Sequence, residues 1–291
     1  MKRFYDHEFN RQALEFGFHN IRYQYRCTWY SFAEPPGPLE QKTLYEVLSS
    51  NTLSLYKKDL PIGGPSGDTI VSAQGTCFLL DWDGMKYLIT AGHVADVPRD
   101  LFARFPLKSG AGYNELKIQR LGWTFHHQYK DTGGDVDMAA VKLPPYDTSK
   151  FYVPFPQNAL REDPVPPHSI LILGFPLLSG SYSKTPRPVI RQGIVSLTAK
   201  ETNFKNEFGR RVDGRCFFVD AETHGGNSGS PVISNFEIYC EQRDLVIRGM
   251  QIAIQNALGL AVCEPASRIR ECLDEAALRK YDQSTQPSWV R

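Results

Sequence analysis

The 291-residue sequence predicts a mostly β protein with a helical flank, and three observations carry that prediction. From about residue 66 onward, short runs of alternating or β-branched residues recur between Gly, Pro and Asp-Gly turn signals. These runs fall into two groups, split by a stretch at 144–167 that contains Pro144, Pro145, Pro154, Pro156, Pro164, Pro166 and Pro167. One amphipathic pattern follows them, and it opens on Pro265, a residue suited to the first turn of a helix.

The elements follow in order. Residues 1–34 mix a helix-like start with an alternating run, Ile21 to Tyr30, that reads as a strand. Pro35-Pro36-Gly37-Pro38 breaks the chain. Leu39, Leu44, Val47, Leu48, Leu53 and Leu55 mark an amphipathic helix over 39–60, and a second break follows at Pro61–Pro65. Gly75–Asp81 and Lys86–Thr90 are strands joined at Asp83-Gly84. Residues 115–121 and 137–143 complete the first group. The second group comprises 169–174, 189–197, 216–221, 231–234, 244–254 and 260–263. After Pro265, Ile269, Cys272, Leu273 and either Ala276 or Ala277 form the apolar face of a helix to about Lys280, and the last residues read as loose.

Composition excludes several classes of function. Basic and acidic residues nearly cancel, leaving a net charge of +1, so nothing asks for a nucleic-acid partner. No apolar run is long enough to span a membrane, and the charged N-terminus lacks the apolar core of a secretory signal. The expectation is a cytoplasmic protein. Cys27, Cys77, Cys216, Cys240, Cys263 and Cys272 lie far apart with no metal-binding spacing, which suits free, buried thiols in a reducing compartment. His126-His127 lacks further ligands at suitable spacing and reads as a solvated turn, so neither metal nor cofactor is expected.

The chemistry-bearing stretch is His224-Gly-Gly-Asn-Ser-Gly-Ser-Pro-Val232. Glycines around Ser228 let the backbone turn sharply and present amide N–H groups to a reacting atom. Taken alone, the motif is a tight hairpin loop. It is accompanied by Thr90-Ala-Gly-His93-Val and by Asp137-Met-Ala-Ala-Val, in the chain order His, Asp, Ser of one class of catalytic triad. A serine hydroxyl needs a base beside it, and the base needs a carboxylate to fix its tautomer. Asp135 and Asp137 both offer that carboxylate; Asp137 leads into an apolar strand, whereas Asp135 follows Gly133-Gly134 and reads as a turn residue. His224 suits a loop-capping role better than a pocket role.

With these motifs in place, the chain resembles the trypsin-like serine peptidases of the chymotrypsin fold, in the bacterial branch of HtrA-type and glutamyl endopeptidases. The residues that carry the resemblance are Gly75-Thr-Cys-Phe, Thr90-Ala-Gly-His93-Val, Asp137-Met-Ala, Ile172-Leu-Gly-Phe-Pro176, Gln192-Gly-Ile-Val-Ser196, Gly225-Gly-Asn-Ser228-Gly-Ser-Pro-Val232 and Gly259-Leu-Ala-Val. They span about 70–265.

The resemblance implies two six-stranded antiparallel β-barrels with an N-terminal extension at 1–65 and a C-terminal helix and tail at 266–291. The first barrel, 66–150, would supply His93 and Asp137, and the second, 151–265, would supply Ser228. Backbone N–H groups of Gly226 and Ser228 would form the oxyanion hole. Gln251, Ile252 and Ala253 would pair with the substrate backbone. Glu222 would sit at the base of the specificity pocket with Thr223 beside it, selecting Lys or Arg; the alternative is a solvent-facing Glu222 paired with Arg191 or Arg215.

The implied activity is endopeptidase cleavage of a protein or peptide through an acyl-enzyme, with a regulatory partner acting through residues 1–60. The departures are Asn227, where secreted trypsins place an aspartate, Val94, where they place a cysteine, and a sequence after 265 that is too short for a PDZ domain. Gln251 stands near the place of a substrate-binding histidine in glutamyl endopeptidases, which argues against Glu specificity. The rival readings are a catalytically silent scaffold on the same fold and, from a different class, an α/β-hydrolase. The latter is disfavoured because Ser230 replaces the final glycine of its elbow motif.

Overall fold

The computed structural model describes residues 46–59, 70–110, 112–129, 136–161, 166–176, 187–198, 215–234, 246–255, 259–279 and 285–290. The expectations for residues 1–45, the break at Pro61–Pro65 and Asp135 lie outside the described residues.

The first strand pair shows how local sequence builds the sheet. β2 (Ile70–Trp82) and β3 (Met85–Thr90) pair with Trp82 opposite Met85, leaving Asp83-Gly84 as the loop. Both loop residues have positive φ, 48° and 75°, the backbone shape that matches the twist of a tight hairpin. β3 leads into the short helix α1 (Gly92–Ala95).

The sequence reads as one helix over 39–60; among the described residues of that stretch, 46–50 are helical and Thr52–Asp59 is strand β1. Asn51 makes the switch. Its N–H closes the helical turn on Val47 O at 3.2 Å, its carbonyl accepts from Leu79 N at 2.9 Å, and its side chain donates to Val153 O at 2.9 Å. β1 then runs along β2, and Thr52, Leu53, Ser54, Leu55 and Tyr56 are all buried.

The remaining strands are β4 (Leu101–Pro106), β5 (Tyr113–Ile118), β6 (Thr124–Phe125) and β7 (Ala139–Lys142) in the first group. The second group has β8 (His168–Gly174), β9 (Val189–Thr198), β10 (Phe217–Asp220), β11 (Pro231–Ser234), β12 (Val246–Gln255) and β13 (Leu260–Pro265). Helix α2 (Ala266–Leu278) and the short strand β14 (Ser288–Trp289) follow.

The architecture is mostly β. The second group closes into an antiparallel barrel in the order β10-β13-β12-β11-β8-β9. The first is a curled antiparallel sheet in the order β14-β5-β4-β1-β2-β3-β7-β6. It is curled rather than closed into a second barrel, and its six central strands include β1, from the stretch expected as an extension, and β4, which the sequence pattern does not show; its two further members, β6 and β14, are two-residue edges.

The proline-dense stretch is packed rather than loose. Phe151 and Phe155 are buried, Phe155 bridges Leu80 of the first sheet, and Leu160 bridges Ile247 of the barrel. Inside the barrel, Ile170, Ile172, Val195, Phe217, Val219, Val232 and Ala261 form one apolar cluster. A larger cluster fills the first sheet and the seam between the sheets.

Helix α2 covers that seam with Ala266, Ile269, Cys272, Leu273 and Ala276, so Ala276 rather than Ala277 completes its apolar face. The four described cysteines, Cys77, Cys216, Cys263 and Cys272, are free and buried. No helix among the described residues is long and apolar enough to cross a membrane.

The C-terminal residues are ordered by pairing. Ser288 and Trp289 add to β5, and the Trp289 ring stacks on Phe151 at 4.8 Å and meets Phe105 edge-on at 5.0 Å. We expect Trp289→Ala to lower the unfolding free energy by about 1–3 kcal/mol in chemical denaturation, two aromatic pairs at roughly 0.5–1.5 kcal/mol each. An unchanged denaturation midpoint would show that this edge contributes nothing.

A second expectation concerns pH. Burial lowers the pKa of His126, and its hydrogen bond to Glu271 opposes that shift. The unfolded chain therefore takes up a proton that the folded chain resists. Stability is full above the ordinary histidine pKa of about 6.5 and falls as pH drops through the folded value. Urea denaturation at neutral and mildly acidic pH should show this loss, and it should shrink in His126→Gln.

Candidate active site

The site forms where the two sheets meet. His93 stands in α1, directly after β3, with its ring half-buried. Asp137 is 7% exposed and lies on the lead-in to β7, two residues ahead of the strand itself. Its carboxylate serves His93 twice: Oδ2 lies 2.6 Å from Nδ1, and Oδ1 accepts the His93 backbone N–H at 2.8 Å. An ionised carboxylate only accepts, so the Nδ1 position carries a proton, and in the neutral imidazole Nε2 is then the nitrogen with the lone pair.

Ser228 lies in the turn between β10 and β11. Gly226 and Gly229 on either side adopt φ of 94° and 90°, a region that side chains resist. At Gly229 the requirement is also one of space, because a Cβ there would lie 1.9 Å from Thr76 O. The turn is braced from both sheets: Thr76 N donates to Ser228 O at 2.8 Å, and Gly229 N donates to Gln251 O at 2.8 Å. A Cβ on Gly75 would contact both Val94 and Ser228 O, at 2.8 and 2.9 Å, so the residue after His93 and the serine are near neighbours. Ser228 Oγ donates to Ile252 O at 3.2 Å.

The loop's backbone donors divide into two sets. Asn227 N donates to His224 O at 3.2 Å and Ser230 N to Asn227 O at 2.9 Å. The N–H groups of Gly226 and Ser228 have no hydrogen-bond partner among the described residues. His224 thus caps the loop through its carbonyl, while its ring lies 3.4 Å from Glu222. Asn227 is buried at 2% exposure.

Other sequence-derived positions fall differently. Glu222 is 69% exposed and its carboxylate is held by Arg191 at 3.0 Å. This is the solvent-facing alternative for Glu222, with Arg191 rather than Arg215 as its partner. Thr223 beside it is half-buried. Gln251 is 1% exposed: its backbone braces the nucleophile turn and its side chain faces inward rather than to a substrate. Ile252 and Ala253 follow, where the β12–β13 register shifts, and this bulge brings the Ile252 carbonyl to Ser228.

His126 is buried, not solvated. His126 Nε2 lies 3.1 Å from Glu271 Oε2, and His127 Nδ1 lies 2.5 Å from Glu275 Oε1, so the pair pins α2 to the first sheet. His126, His127 and Glu275 bring ligand atoms within 4.8 Å of one another. Arg215 and Arg268 both pair with the adjacent Glu271, and that positive charge opposes a cation.

Two further residues support the site: Glu264, which lies outside the motifs, and Thr76, which lies in Gly75-Thr-Cys-Phe without a role assigned to it. Fully buried Glu264 of β13 accepts the Asp137 backbone N–H on Oε1 at 3.1 Å. Fully buried Thr76 of β2 contacts the nucleophile turn. Their partners are backbone atoms across the seam, which leave no pattern in a single sequence.

Among solved structures, the chain is similar to the MamO protease domain from Magnetospirillum magneticum in its apo form. That match has 18% identity and a TM-score of 0.52, covering 81% of this chain and 100% of that one. It is similar to the active form of the M. tuberculosis protease Rv3671c at 14% identity and a TM-score of 0.53, covering 87% and 92%. It is also similar to the HtrA-type protease AlgW, solved with a decapeptide, at 16% identity and a TM-score of 0.52, covering 81% and 67%. No curated protein sequence matches it significantly. At these identities the likenesses establish the fold. The family model described as the trypsin-like peptidase domain matches residues 75–237, more than half of the sequence, and the chain belongs to that family of serine proteases.

Proposed function

We propose that the protein is a serine endopeptidase whose triad is His93, Asp137 and Ser228 and whose reaction passes through an acyl-enzyme. The observation that carries this reading is the two-point hold of Asp137 on His93, at 2.6 and 2.8 Å, beside a serine turn with two unpaired N–H groups. In the proposed reaction the Ser228 hydroxyl swings from Ile252 O towards His93, whose Nε2 takes the proton as Oγ attacks the substrate carbonyl. The developing oxyanion accepts from the N–H groups of Gly226 and Ser228. His93 then returns the proton to the departing amine, and water repeats the sequence to free the enzyme. Ile252 and Ala253 of β12 pair with the substrate backbone. The four buried free thiols suit a reducing compartment.

The test is hydrolysis of a peptide library together with labelling by a serine-reactive phosphonate. Ser228→Ala and His93→Ala should lower kcat by up to about a millionfold with the fold intact. Asp137→Asn should lower it about 10⁴-fold, and Asp135→Asn should leave it near wild type. A crippled Asp135→Asn would reassign the acid, and a wild-type protein that is folded but unlabelled would favour a silent scaffold.

Glu264 supplies a further test. Glu264→Leu leaves the Asp137 N–H unpaired in the interior, at a cost of about 1–3 kcal/mol in folding stability. Glu264→Gln keeps an acceptor and should cost less. Equal losses in the two variants would remove the hydrogen bond from the account.

A further inference from the structure

Thr76 sits on β2, in the first sheet, yet its polar groups serve the nucleophile turn of the second. Its side chain is fully buried. Its backbone N–H donates to Ser228 O at 2.8 Å, and its carbonyl accepts from Thr90 Oγ1 at 2.7 Å while lying against Gly229. Its hydroxyl makes two contacts. Phe175 N is 3.0 Å away and, as a backbone amide, donates to Oγ1. The hydroxyl's own proton therefore goes to Gly226 O, 2.8 Å away. The result is a directed chain from the Phe175 N–H through the Thr76 hydroxyl to the Gly226 carbonyl, with each bond polarising the next.

The second contact lies on a pair of glycines inside the turn. Gly225 and Gly226 are adjacent and lack the Cβ atoms that would limit their torsions. Rotation of the peptide planes around Gly226 would carry its N–H away from the cleft. The Asn227 N–H to His224 O bond closes the turn around Gly225-Gly226 through the backbone, and the remaining braces act later in the chain, at Ser228, Gly229 and Ser230. The Thr76 hydroxyl is the side-chain brace on Gly226 itself among the described residues.

We infer that Thr76 is a positioning residue for the oxyanion hole: by holding the Gly226 carbonyl, its hydroxyl keeps the Gly226 and Ser228 N–H groups in the orientation that receives a developing oxyanion. This inference rests on the proposed catalytic role of Ser228. It differs from a merely structural role because a brace on Gly226 acts on the transition state more than on the bound substrate.

The experiment compares the full chain with Thr76→Val, which keeps the shape and loses the hydroxyl, Thr76→Ala, and Thr76→Ser, which keeps the hydroxyl. Phosphonate labelling of Ser228, kcat and KM on one peptide substrate, and circular dichroism are read for each. Thr76→Val and Thr76→Ala should lower kcat roughly tenfold to a hundredfold, short of the full loss of an oxyanion donor. KM should stay within about twofold, since uniform binding is untouched. Thr76→Ser should recover kcat to within about threefold of wild type, given that the same hydrogen-bond chain is restored.

A wild-type enzyme that labels and turns over, with folded Thr76→Val or Thr76→Ala showing unchanged kcat, overturns this inference alone. Equal losses in Thr76→Ser and Thr76→Val also overturn it, because the hydroxyl would then not be the operative group. If wild-type Ser228 neither labels nor supports turnover, the catalytic reading and this inference fall together.

Discussion

A bare α-carbon at residue 229 allows the two sheets to touch. Thr76 O occupies the space a side chain would need, and Thr90 Oγ1, hydrogen-bonded to that oxygen, crowds it further. His93 and Asp137 come from the first sheet and Ser228 from the barrel, so the proposed triad can assemble only if the sheets approach within hydrogen-bonding reach. Close packing makes that approach all-or-none: a methyl group at 229 would displace a backbone carbonyl rather than a yielding side-chain tip. The bonds from the Thr76 N–H to Ser228 O and from the Asp137 N–H to Glu264 Oε1 then cross the seam, so each sheet holds a loop of the other.

Much of this was legible in the sequence where short-range physics decides the outcome. Asp83-Gly84 specified its hairpin because only residues tolerant of positive φ fit that loop. The helix after Pro265 followed from spacing and a fixed proline φ. β1 escapes the sequence pattern because Val47 and Leu48 run on to Leu53 and Leu55 at a spacing that suits a helix, and the switch rests on the hydrogen bonds of Asn51. β4 went unrecognised because Arg104 interrupts its apolar run. In the fold that guanidinium is buried between the Tyr56 and Tyr113 rings, at 4.7 and 4.6 Å, with Glu115 3.5 Å from its Nε. A lone residue list shows a charge there, and only the tertiary setting shows what shields it.

Two glutamates make the same point within the site. Glu222 lies close to the nucleophile in sequence, and the motif spacing drew it into the specificity pocket; it is exposed beside Arg191. Glu264 has no motif around it and lies far from Asp137 in sequence, yet it is fully buried against that residue's backbone. Distance along the chain from a nucleophile measures little in a fold built from long-range strand pairs. A carboxylate's burial and its partners decide what it does.

The order of segments along the chain also bears on how the protein is made. The first sheet is closed at one edge by β14 and its seam is covered by α2, both of which follow the entire barrel in sequence. A ribosome therefore delivers β1–β7 long before the pieces that complete them. Until then Phe105 and Phe151 lack their Trp289 neighbour, and the apolar seam lacks its helical cover. Vectorial folding, one unit finished before the next begins, is not open to this chain. The first sheet waits on α2 and β14, and the apolar seam stays uncovered until both have been made.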